Sequence, residues 1–109
     1  FIDEETSIVV MSHNFSYDLK YLKVLNSYSF GYLGLLGPAK RRENLLSQLL
    51  ELEPEIEFDF IELIHGPAGL DIGAETPQEI ALSILSEILS VTRDKKPISL
   101  NHKKEGIHA

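Results

Sequence analysis

The chain has 109 residues, 43% of them hydrophobic and 25% charged, the composition of a single globular domain with one modest core. Seventeen acids against ten Lys and Arg give a net charge of −7, which argues against a nucleic-acid partner, whose contact face would carry a basic surplus. With no Cys there is no disulfide framework, thiol nucleophile or thiolate metal site, and no apolar run approaches the ~20 residues of a membrane span.

A cytoplasmic location with no membrane contact is the expectation. The sequence opens at Phe1 without a Met or a basic-then-apolar leader, and a strand-like run arrives almost at once. That opening is expected of a piece of a longer protein.

Ser7-Ile8-Val9-Val10-Met11, behind the acids Asp3, Glu4 and Glu5, reads as a buried strand that ends at Ser12-His13-Asn14. Leu19, Leu22, Val24 and Leu25 then recur at near-helical spacing, with Asn14 or Ser16 as cap, and predict a helix over Tyr17 to Ser27. Tyr28 to Leu36 returns to strand composition and stops at Gly37-Pro38; Gly31 and Gly34 inside it point to a neighbour pressing close to the backbone. Pro38 suits the first position of a helix whose stripe is Leu45, Leu46, Leu49 and Leu50, up to Pro54. The order β-α-β-α is that of a parallel sheet with crossover helices.

Glu51 to Glu62 supports two readings, since its acids alternate with Ile56, Phe58 and Phe60 as in a strand, while Phe60, Ile61 and Ile64 make one helical turn. Gly66-Pro67-Ala68-Gly69-Leu70-Asp71-Ile72-Gly73 is a loop. Thr76, Pro77 and Glu79 form a capping box at the start of a helix. Ile80, Ile84 and Ile88, with Ala81, Leu85 and Leu89, give that helix a broad apolar face, expected to pack deeply onto the sheet. From Arg93 onward five basic residues accompany two acids, so residues 1–92 read as the domain and 93–109 as a basic tail.

Gly34 to Arg42 is the strongest candidate site. A strand feeds a Gly-containing turn and a helix start, where free N–H groups and the helix dipole favour an anion. Lys40, Arg41 and Arg42 in that first turn oppose the dipole unless an anion or neighbouring acids such as Glu43 offset them. His13 lies at the carboxyl end of the first strand, the edge where open parallel sheets hold ligands, and the alternative for it is a loop His bonded to backbone. His65 precedes the Gly-Pro-Ala-Gly loop and Asp71 lies within it, where it serves either a ligand or local N–H groups. His102 and His108 belong to the tail, and no His pair has the i, i+4 spacing of a helical metal site. A Ser-His-Asp signature, a phosphate-loop Lys and Gly-x-Gly-x-x-Gly are all lacking, which points to binding rather than turnover.

Taken together, Val10-Met11-Ser12-His13-Asn14 with Asp18, then Tyr32-Leu33-Gly34-Leu35-Leu36-Gly37, then Gly66 to Gly73, then Thr76-Pro77-Gln78-Glu79-Ile80-Ala81-Leu82-Ser83-Ile84, resemble the C-terminal Rossmann domain of the XdhC/CoxI family, the xanthine dehydrogenase accessory factors. The likeness covers about residues 6 to 92, with Gly106-Ile107-His108 as a weaker match at the end. It implies an α/β fold: a partial Rossmann-like three-layer domain with a parallel sheet, lacking the first β-α-β unit, and with a short helix near Phe58 to Ile64.

Members of the family bind molybdenum cofactor (molybdopterin), support its sulfuration and deliver it to xanthine or carbon monoxide dehydrogenase type hydroxylases, as chaperones rather than enzymes. The implied partners are a molybdenum hydroxylase client and a cysteine desulfurase. On this reading Gly34, Gly37, Lys40 and Arg41 contact the cofactor phosphate, and His13, His65 and Asp71 rim its pocket. The family's first strand and glycine-rich turn would precede Phe1, so an open sheet edge is expected to form a homodimer or to pair with the missing N-terminal part. An NAD(P)-dependent oxidoreductase and a pure oligomerisation module are the alternatives, because fold alone does not establish function.

Overall fold

A computed structural model describes residues 1–103. Its elements are β1 (Ser7–Val10), α1 (Phe15–Leu25), β2 (Tyr32–Leu35), α2 (Ala39–Leu52), α3 (Phe58–Leu63), β3 (Ile64–His65) and α4 (Pro77–Thr92), followed by a 3-10 turn at Leu100–His102. The three strands are parallel, in the order β1-β2-β3, with Ser7 opposite Tyr32 and Gly34 opposite His65. This is the Rossmann-like α/β sheet expected. Gly106-Ile107-His108 lies outside the described residues.

Side chains alternate across the strands and divide the domain into layers. Val10, Leu33, Leu35 and Ile64 face one way and join Leu22 and Leu25 of α1, Leu45, Leu46 and Leu49 of α2, and Phe60 of α3 in a single buried cluster. Tyr32, Gly34 and His65 face the other way. There Tyr32 reaches Glu87 of α4, while a Cβ on Gly34 would meet Ala68 and the Tyr32 hydroxyl at 2.8 Å.

Two expectations shift. The second strand is Tyr32–Leu35 rather than Tyr28 to Leu36. Tyr28 continues the turn out of α1 by bonding Leu25, and Gly31 lies so close to the Glu4 carbonyl that a Cβ would sit 2.6 Å from it. Residues 58–63, left open by pattern, form the short helix that the family resemblance implies, and the strand that follows has only two residues. Last, α4 does not bury its apolar face deeply. Ser83 and Ile84 are buried, but Leu82, Leu85 and Leu89 stay 59%, 62% and 54% exposed, because the short sheet underlies only one stripe of a 16-residue helix.

Local signals set the helix starts. Asn14 caps α1 by accepting from the Tyr17 amide, and α1 therefore begins at Phe15, two residues before the expected start. Pro38 is the cap residue of α2, not its first residue, and provides no side-chain bond. At α4 the capping box forms as read: Thr76 accepts from the Glu79 amide at 3.2 Å, and the Glu79 carboxylate accepts from the Thr76 amide at 3.0 Å.

One polar residue lies in the buried layer. Asp18, on the inward stripe of α1 with Leu22 and Leu25, is fully buried. Its carboxylate accepts from the Ser12 hydroxyl, from the Ser12 amide at 3.3 Å and from the Arg41 guanidinium of α2. It ties the turn after β1 to the start of α2.

Two stability outcomes follow. Thr76→Ala should lower the unfolding free energy by about 1 kcal/mol in urea titration. The Thr76 and Glu75 amides hold the Glu79 carboxyl below its ordinary range, so the cap's contribution is present above that range and is lost as pH falls through the lowered value. Asp18→Asn, which leaves Arg41 facing an uncharged amide, should cost about 3 kcal/mol with an unchanged denaturant slope. A loss under about 1 kcal/mol would mean the tie is not structural.

Candidate functional site

Parallel strands put their carboxyl ends on one edge, and the loops leaving them surround a shared space. Here that space is a groove of about 1100 Å³. Met11 after β1 and Leu36-Gly37 after β2 form one side, Pro67 to Ala74 after β3 form the wall, and Pro77, Ile80, Ala81, Ile84 and Leu85 of α4 close the other side. The lining is mostly apolar, and among the described residues Asp71 is its one ionisable side chain.

The wall is held by its backbone. The Ala68 amide donates to the Leu35 carbonyl at 2.9 Å, and the Leu70 amide to the Ser83 carbonyl at 3.1 Å. Gly69 has φ +115°, and a Cβ there would lie 2.5 Å from the Ser83 hydroxyl, so glycine is required on both counts. Its amide donates at 3.0 Å to the carboxylate of Glu87, which points inward from the middle of α4.

The same Glu87 oxygen accepts from the Tyr32 hydroxyl at 2.6 Å and lies 3.5 Å from Nδ1 of His65. The His65 ring stacks on Tyr32 at 4.8 Å. Burial first, and then the adjoining Glu87 carboxylate, push the Tyr32 phenol far above its ordinary value, so this hydroxyl is a permanent donor.

The structure distributes the expected site residues unevenly. Gly37 and Asp71 line the groove. Gly34 is a buried mid-strand residue under Tyr32 and Ala68, and it makes room for the wall. Arg41 is turned to Asp18, not to the groove, and Arg42 faces the Ile64 and Ile61 carbonyls at 3.4 and 3.5 Å. The dipole penalty at α2 is offset for Arg41 by a buried acid, while Lys40 is exposed. His65 sits beneath the wall in the Tyr32–Glu87 cluster. His13, at φ +60°, is exposed on the turn after β1 and outside the groove lining.

Sequence reasoning named Asp18 only as part of the family likeness and missed Glu87. Both carry a readable signal, a carboxylate on the inward stripe of an apolar helix: Asp18 with Leu22 and Leu25, Glu87 with Ile80 and Ile84. Among the described residues no group of three or more His, Asp or Glu is placed to hold a metal ion, and no helix is long and apolar enough to cross a membrane.

Comparison with known proteins places these features in a family. Residues 1–88 match the family model described as the XdhC Rossmann domain. The chain is 38% identical over 85 residues to a Bacillus subtilis (strain 168) protein named as a probable subunit of xanthine dehydrogenase, covering 78% of this chain and 23% of the relative. It is 42% identical over 74 residues to the uncharacterized protein YqeB of Escherichia coli (strain K12), covering 68% and 13%. A solved Bacillus halodurans structure, described as a xanthine dehydrogenase, is similar with a TM-score of 0.69 and 28% identity over 91% of this chain and 27% of that one. The chain thus spans about a quarter or less of the length of these relatives. Through its Rossmann domain, the chain belongs to the XdhC family.

Proposed function

We propose that the chain forms part of a maturation factor for xanthine dehydrogenase type molybdenum hydroxylases, and that its groove holds molybdenum cofactor as cargo. The single observation that carries the reading is an open, largely apolar groove at the carboxyl edge of a parallel sheet in an XdhC-family chain. The relatives named for xanthine dehydrogenase support the client class.

The groove's chemistry suits a flat heterocycle bearing a phosphate. The aliphatic walls from Met11, Leu36 and α4 would exclude water from the ring faces, and the Asp71 carboxylate would accept from ring N–H donors. The phosphate would meet the start of α2, whose first-turn amides have no side-chain cap, with Lys40 beside them. Arg41 contributes indirectly by fixing that helix start against Asp18. In this reading these groups bind, orient and shield. A hydroxylase client and a cysteine desulfurase are the proposed partners, and a second copy or a further Rossmann segment is the proposed neighbour of the β1 edge.

The test is retention of molybdenum cofactor by the chain, followed by ultrafiltration and the fluorescence of the oxidised pterin, with NADH run in parallel. The chain should retain the pterin. Ala81→Asp, an exposed position that points a carboxylate into the groove, should weaken retention at least tenfold while stability changes by less than about 0.5 kcal/mol. Lys40→Ala should weaken it about two- to fivefold. Retention indifferent to Ala81→Asp would sink the assignment of the groove, and binding of NADH with no pterin retained would favour a nicotinamide-dependent oxidoreductase.

A further inference from the structure

Glu87 has no role in the proposed holding of cargo, yet its placement is costly. A carboxylate at mid-helix, 15% exposed, needs its lone pairs met. One of its oxygens takes the Tyr32 hydroxyl from β2, the Gly69 amide from the groove wall and, at 3.5 Å, Nδ1 of His65. Three segments meet at this atom: the end of β3, the start of β2 and the Gly66–Gly73 wall. Its bond to Gly69 falls at the residue where φ is +115° and no side chain fits, so a sharp bend of the wall is the point Glu87 grips.

We propose that Glu87 is the positioning residue of the groove wall, and that the charge on His65 adjusts its grip. With His65 neutral, the carboxylate is shared between the phenol and the amide. With His65 protonated, Nδ1 becomes an obligatory donor toward the same oxygen, and the end of β3 is drawn to α4. The charged and titratable groups around this cluster are Tyr32 of β2, Glu87 of α4 and Arg42 of α2, whose stem packs against Gly66 and whose guanidinium faces the Ile61 and Ile64 carbonyls. The phenol stays protonated, so it is the fixed donor of the cluster.

The inference rests on the groove as the binding site only for its consequence; the positioning itself is read without cargo. The measurement is the Gly69 amide in 15N-labelled full chain, by chemical shift from about pH 5 to 8 for the pH response and by hydrogen exchange at one fixed pH for the bond. In the unaltered chain the Gly69 resonance should move with pH in step with the His65 ring. Glu87→Ala should speed Gly69 exchange about tenfold, the scale of losing one charge-assisted bond. Glu87→Gln, which keeps an acceptor for Tyr32 and Gly69 but no charge for His65, should restore slow exchange and flatten the pH response. His65→Phe, which keeps the stack on Tyr32, should flatten it too. Should Glu87→Ala fail to fold, the Gln and Phe variants decide alone. A Gly69 amide indifferent to Glu87→Ala, or a pH response that survives His65→Phe and Glu87→Gln, overturns the proposal. Neither result touches pterin retention, so failure here and failure of the cargo reading are told apart.

Discussion

Burying a carboxylate is among the most expensive acts available to a small domain, and it succeeds only where every lone pair finds a donor. This chain buries one fully, Asp18, and half-buries a second, Glu87, on the other side of its sheet. Asp18 draws Ser12 and Arg41 together in the α1–α2 layer, and Glu87 draws Tyr32, Gly69 and His65 together in the α4 layer. In each case the carboxylate sits on a helix, and most of its donors come from strands or from the turns that leave them. The two acids therefore fix the loops that frame the groove, rather than the core beneath it. Ten apolar residues make a continuous core without them.

The alternation along β2 explains why the two acids have separate tasks. Leu33 and Leu35 enter the apolar cluster, so that face needs only one polar tie at its rim. Tyr32 and Gly34 face α4, and there the packing is thinner: Gly34 leaves no side chain, so Ala68 of the wall rests directly on the strand. A wall seated on a glycine lacks the side-chain interlock that holds α1 and α2. Hydrogen bonds to Leu35, Ser83 and Glu87 take its place.

Much of this was legible in the sequence because it is local. The capping box at Thr76, the Asn14 cap, the glycine loop and the β-α-β-α order are each signalled within a few residues, and each forms close to where the pattern puts it. Residues 58–64 were not decidable by pattern, since a six-residue helix running straight into a two-residue strand gives too short a run for either period to show. The shallow burial of α4 escaped the pattern for a different reason. An apolar stripe states what a helix face is made of, not how much surface lies opposite it, and Leu82, Leu85 and Leu89 find little. The basic trio after Gly37 looked like a site because its acidic partner, Asp18, lies 23 residues before Arg41 in the chain. Spacing along the sequence could identify Asp18 as an acid on an apolar stripe but not the cation it would meet.

That pairing changes what the groove can offer a ligand. A cluster of three cations at a helix start would bind an anion chiefly by charge. With Arg41 committed to Asp18 and Arg42 to backbone carbonyls, Lys40 and the uncapped amides of α2 are what that side presents, against a long aliphatic lining and one carboxylate at Asp71. Apolar burial contributes roughly 25 cal/mol per Å², so a flat ring covered on both faces gains several kcal/mol, whereas one exposed cation contributes about 1 kcal/mol at most. In the proposed reading, then, the walls hold the cargo and the charges set its direction. A site of that kind depends above all on the wall keeping its shape, and the wall is fastened by its bonds to Leu35, Ser83 and Glu87.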